Sequence, residues 1–201
     1  KIKYLALLGL GKEEKFSLNK LMDNIASLSR KIRSSGIKSF AICLDSFKNK
    51  SYDNAVYLEK IAQSIILSLY QFNRFKTKDL DKIKSIGTAA IIVDNNHINE
   101  SKKIVNESII YAEAVNKTRD LVNTPPNIAS PIYVADYAKE IAKKNHLKCA
   151  ILDEKQIEKL GMECFMAVAK GSANKPRLVI LEYNGSKNDK PIVLVGKGVT
   201  F

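Results

Sequence analysis

Tryptophan is absent from this 201-residue chain, histidine occurs twice and cysteine three times, and each scarcity removes a class of function. His97 and His146 stand apart, with no cysteine or second histidine at ligand spacing, so neither opens a metal site of its own and both read as surface or helix-end residues. Cys43, Cys149 and Cys164 are odd in number and far apart, and they lie inside apolar patterns where a small buried side chain fits. That argues against a disulfide framework and for a reducing, cytoplasmic setting. Long apolar runs are also missing. Ile65 to Leu69 and Ile192 to Val195 have the length of strands or buried helix segments, far below the roughly 20 residues that cross a bilayer, so no membrane partner is expected. The chain opens on Lys1, and Tyr4 to Leu8 has neither the length nor the cleavage site of a signal peptide, so the N-terminus is read as a cut.

Charge of one sign is abundant, but runs of it are not. The formal net charge is +12, divided as +7 over residues 1–100 and +5 over residues 101–201, and no stretch holds more than two adjacent basic residues. The excess reads as a solvated basic surface. Any DNA binding is expected to be weak, non-specific and salt-dependent, resting on phosphate neutralisation alone.

The apolar pattern that is present alternates between strand and helix periods, which predicts an α/β architecture with a mostly parallel, three-layer N-terminal domain. Ile2 to Leu8, Ile37 to Leu44 and Ile86 to Val93 are expected strands. Ser17 should cap a helix with Leu18, Leu21, Met22, Ile25, Leu28 and Ile32 on one face and Gly36 as its stop. Ala55, Leu58, Ala62, Ile65, Ile66 and Leu69 mark a second helical face. A long linker helix is expected from about Ser101 to Val122, ended by the paired prolines of Asn123-Thr124-Pro125-Pro126-Asn127. A second α/β domain then begins. Ser130 caps and Pro131 starts a helix to Lys144, Leu147 to Leu152 forms a strand, and Asp153 with Gln156 makes a capping box for a short helix stopped by Gly161. Arg177 to Tyr183 and Ile192 to Val195 are expected strands joined through Asn184-Gly185. The division is residues 1–100 as an incomplete N-terminal domain, 101–124 as an interdomain helix and 125–201 as the start of a catalytic domain.

Most local chemical signals are weak. Gly9-Leu10-Gly11-Lys12 lacks the spacing, the Ser/Thr and the following helix of a phosphate loop. No Ser, Cys or Thr stands in a nucleophile signature such as Gly-x-Ser-x-Gly. The segment Val193-Leu194-Val195-Gly196-Lys197-Gly198-Val199-Thr200-Phe201 differs, because a strand expected to be buried empties into a lysine flanked by glycines. That would place one amine at the carboxyl end of a sheet, where α/β sites form, although a solvent-exposed turn lysine is the favoured reading on spacing alone.

This last segment is similar to the Val-Gly-Lys-Gly-x-Thr-Phe signature of the leucine aminopeptidase family. Arg119-Asp120-Leu121-Val122-Asn123-Thr124-Pro125-Pro126-Asn127 resembles the family's segment at the end of its interdomain helix. Leu160-Gly161-Met162 with Val168-Ala169-Lys170-Gly171-Ser172, and Pro176 with Leu181-Glu182-Tyr183-Asn184-Gly185, resemble the two blocks between. Residues 1–118 match the family in layout only. The resemblance implies a metallo-exopeptidase that removes N-terminal residues, leucine favoured, from peptides with a free N-terminus, and that assembles as a homo-hexamer. It implies two divalent metal ions, zinc or manganese, with Lys197 as a ligand of one. The remaining ligands and the catalytic residues are expected beyond residue 201, so these residues alone should be inert. In the implied mechanism the ions hold the substrate's α-amine, polarise the scissile carbonyl and activate a bridging water. A lysine can ligate only as a neutral amine, since an ammonium has no lone pair to give. DNA binding by a basic N-terminal domain, a property of some bacterial members, is the alternative reading.

Overall fold

The computed structural model describes residues 2–47, 52–186 and 189–200. The chain separates into two compact units, Lys1–Asp120 and Leu121–Phe201.

In the first unit, α1 (Leu18–Ser34) begins where Ser17, in extended conformation, accepts the backbone N–H of Lys20 at 3.3 Å. Gly36 ends it at φ +82°, a left-handed conformation that costs glycine little. Leu21, Ile25 and Ser29 recur every four residues and are fully buried, so one stripe of α1 faces the core. α2 (Asn54–Leu69) answers with Tyr57, Leu58, Ile61, Ala62 and Ile65. Between them in sequence lies β1 (Ser39–Cys43), which pairs in parallel with β2 (Thr88–Ile92), from Ser39 opposite Thr88 to Cys43 opposite Ile92. A parallel pair needs a long crossover, and α2 lies within it. Ile42 of β1 and Leu44 and Phe47 of the following turn complete the buried cluster. α3 (Ile98–Asn123) lends Ile104 and Val105 to the same core.

In the second unit, α4 (Pro131–Lys144) starts on Ser130, which accepts the N–H of Tyr133 at 3.4 Å, with Pro131 in the first helical turn. Its buried stripe, Ala135, Ala138 and Ala142, is made of small residues. β3 (Lys148–Leu152) leads into α5 (Glu154–Lys159), whose capping box forms as expected: Asp153 accepts from Gln156 N–H, and Gln156 accepts from Asp153 N–H, both at 2.9 Å. Gly161, at φ +68°, closes α5. β4 (Leu178–Glu182) pairs with β3 antiparallel, so this unit carries an antiparallel pair.

Three expectations are corrected. Ile2 to Leu8 forms no strand. Ile2, Tyr4, Leu5 and Leu7 are exposed, and the chain gains contact with the core only at Leu8 and Leu10. Ile192 to Val195 likewise forms no strand. Alternation or an apolar run encodes a preference for the sheet, but a strand exists only where a neighbouring edge supplies hydrogen-bond partners. Neither segment pairs with a strand among the described residues. The third correction is α6 (Glu163–Ala169), unanticipated because its seven residues are too few to display a helical period; Met166 is its buried contact. The turn expected to join the last two strands passes through residues 187–188, which lie outside the described residues.

His146 terminates α4 at φ +55°, with Leu147 N–H bonding to Ala142 O at 2.9 Å as in a Schellman closure. A Cβ at this position costs about 1 kcal/mol, partly offset by glycine's greater freedom in the unfolded chain. His146→Gly should therefore stabilise the second unit by roughly 0.5 kcal/mol. Urea unfolding checks this, with a higher midpoint at unchanged slope expected and a lower midpoint contradicting it.

Candidate functional site

Residues 189–200 have no regular secondary structure, and Ile192, Val193, Leu194 and Val195 are 92, 73, 93 and 93% exposed. The buried strand expected to deliver Lys197 is therefore absent, and Lys197 stands in solvent. A Cβ built on Gly196 or Gly198 meets nothing within 4 Å, so no described neighbour demands glycine there. Phe201, the last residue of the signature, lies outside the described residues.

The donor set follows directly. Among the described residues, no three His, Cys, Asp or Glu side chains are grouped so as to hold a metal ion. His97 is exposed beside Glu100 (Nδ1 to Oε2, 3.8 Å), and His146 is an exposed helix end, as their isolation in sequence led us to expect. Cys43 and Cys164 are exposed and Cys149 is half-buried, which corrects the expectation of buried thiols. Apolar neighbours in sequence did not bury them because Cys43 is the last residue of β1 and Cys164 lies in the first turn of α6, both at element ends. After Gly9-Leu10-Gly11-Lys12 comes a single 3-10 turn, Glu13–Lys15. Lys197 can thus supply one nitrogen donor, and the described residues do not by themselves fit a two-ion centre.

The other segments singled out in the sequence are structural. Arg119 donates to the backbone oxygen of Leu67 at 2.8 Å and to Asn116 Oδ1 at 3.1 Å, with its guanidinium 4.0 Å from the centre of the Tyr70 ring. Tyr70 OH donates to Asp120 Oδ1 at 2.8 Å. Pro125 O accepts from both Ile128 and Ala129 N–H at 2.9 Å, closing the turn after the paired prolines, and Thr124 is buried there. Elsewhere, Lys60 Nζ hydrogen-bonds Glu59 at 2.7 Å and holds that carboxyl below its ordinary value. The small stability this gives a partly exposed pair is present above the ordinary carboxylate pKa and is lost as pH falls through the lowered one.

Residues 116–201 match the sequence model of the cytosol aminopeptidase family, catalytic domain, and residues 1–79 match that of the same family's N-terminal domain. The two matches fall in chain order and together take in most of the molecule. This chain belongs to the cytosol aminopeptidase family.

Curated members of the family agree. Proteins named probable cytosol aminopeptidase are 36% identical over 204 residues in Nitrosomonas europaea, 37% over 207 in Sulfurihydrogenibium sp. and 34% over 203 in Pseudomonas syringae pv. tomato. They align with 99, 100 and 100% of this chain, which spans 40, 39 and 41% of their own lengths. In fold, the chain is similar to the bottromycin maturation enzyme BotP, solved in complex with Mn (TM-score 0.75, 24% identity, 88% of this chain and 36% of that one). A tomato leucine aminopeptidase is similar at TM-score 0.75 and 22% identity, over 89% of this chain and 36% of that one. The mixed α/β fold, with its parallel pair and packed helices, is therefore that of a known aminopeptidase architecture. The catalytic-domain match contains every block, from Arg119 to Lys197, on which the sequence resemblance rested.

Proposed function

We propose that the full-length protein is a metal-dependent aminopeptidase that releases N-terminal residues, leucine favoured, from peptides with a free N-terminus. The observation that carries this reading is the catalytic-domain match over residues 116–201, which takes in Gly196-Lys197-Gly198. In this reading residues 1–100 are an N-terminal domain, 101–124 a connecting helix and 125–201 the start of the catalytic domain. Lys197 gives one neutral amine to one of two divalent ions, zinc or manganese, and the other ligands lie outside these residues. Such ions, when bound, supply Lewis acidity and an activated water. The residues of this chain contribute a donor in an exposed segment without regular secondary structure. A homo-hexamer and a cytoplasmic location belong to the same proposal. No helix among the described residues is long and apolar enough to cross a membrane.

Residues 1–201 alone should show no hydrolysis of leucine amides with added zinc or manganese, since Lys197 is the donor assigned here and no metal-holding cluster occurs among the described residues. Metal-dependent turnover by the purified 201-residue chain would move the active site into it and overturn this assignment of ligands.

A further inference from the structure

The C-terminus of α2 holds carbonyls whose helical acceptor role has ended, and a helix end of this kind attracts cations. α2 has no basic residue in its own last turn. Two guanidiniums arrive from other helices instead. Arg33 of α1 donates to Leu69 O at 3.2 Å, and Arg119 of α3 donates to Leu67 O at 2.8 Å. Arg119 does more than Arg33. Its guanidinium lies 4.0 Å from the ring centre of Tyr70, the residue that caps α2, and the same Tyr70 donates through its hydroxyl to Asp120, one residue further along α3. Asn116, one turn earlier on α3, accepts a second bond from Arg119 and fixes its fork.

These contacts are reciprocal. α3 caps α2 through Arg119, and the cap residue of α2 engages α3 through both its ring and its hydroxyl. Arg119 and Tyr70 are both half-buried, so the bonds of Arg119 form with part of the solvent excluded, whereas the Tyr70–Asp120 bond is exposed. The first compact unit ends at Asp120, at the last residue of this arrangement.

We propose that Arg119 is a positioning residue that latches the end of α3 to the end of α2, so that the two helix ends order and open together and α3 is held up to Asp120. The two charged residues of the Arg119-Asp120-Leu121 block are thereby assigned to this latch and not to ligand or substrate. The device is conformational: it ties the part of α3 that belongs to the first unit to the end of α2.

Hydrogen exchange on the full-length protein tests it. Arg119→Met keeps most of the stem and removes the fork. It should speed exchange at both Ile66–Leu69 and Asn116–Asp120 by about tenfold, the lower end of what loss of a charged hydrogen bond gives, with Leu21–Ser29 of α1 unchanged. Arg33→Met should speed exchange at the end of α2 only. Tyr70→Leu should match Arg119→Met, and the double variant should add little to either, because both break one latch. Tyr70→Phe keeps the ring and should have a smaller effect, about threefold. Should Arg119→Met not fold, Asn116→Ala, which withdraws one acceptor, should still loosen both helix ends. A rise confined to one helix end, a uniform rise through the whole unit, additive effects of the Arg119 and Tyr70 changes, or the same α3 response to Arg33→Met would each overturn the proposal.

Discussion

Lys197→Ala in the full-length protein should remove one bound ion per subunit and lower turnover by about a hundredfold or more, while the circular dichroism of the folded protein stays unchanged. The asymmetry comes from where the residue sits. Lys197 is exposed in a segment without regular structure, between two glycines whose surroundings are open, so removing its side chain takes nothing from the core. Its contribution, if it is a ligand, is a lone pair. Lys197→Arg should be nearly as damaging although it preserves the positive charge, because a guanidinium stays protonated and has no lone pair to donate. A residue that serves only as a surface cation gives the opposite pattern, with arginine tolerated and alanine nearly neutral. Activity assays paired with metal counting on both variants separate the two. An arginine variant with full activity and full metal content would remove Lys197 from the site.

The largest loss of stability is expected at the contact of α1 with α2. Ile61 is fully buried and belongs to the same cluster as Leu21, Ile25, Tyr57 and Leu58. Ile61→Ala deletes buried carbon and leaves a cavity that two packed helices cannot fully close, at a cost of about 3 to 4 kcal/mol. A domain of this size is stable by roughly 5–15 kcal/mol, so the variant should unfold at far lower urea. Ile110→Ala on α3 removes a side chain of the same size that is 69% exposed, and should change stability by less than about 0.5 kcal/mol. Equal shifts for the two variants would contradict the assignment of this core.

What the sequence made legible was local. Ser17, Ser130 and the Asp153/Gln156 box cap the helices they were expected to cap, because a cap is settled within four residues of chain. Gly36 and Gly161 stop helices for the same reason. The stripe Leu21 and Ile25 was readable from period alone. What was not legible depends on distant partners. Ile2 to Leu8 and Ile192 to Val195 have strand patterns, but a pattern does not reveal whether an edge is available to pair with. Arg119 lies 52 residues from the carbonyl it caps, so nothing in its neighbourhood announces that role. Lys197 is a special case. Its spacing alone favoured a plain turn over a site, and what points to a site is the resemblance of the blocks from Arg119 to Lys197, which lie within the catalytic-domain match.

The most direct measurement is the cleavage of leucine p-nitroanilide by the full-length protein beside its N-acetylated form, each after metal removal and again after addition of manganese. The account predicts release from the free-amine substrate only, abolished by chelation and restored by the metal. Equal cleavage of the acetylated substrate, or cleavage indifferent to chelation, would contradict it.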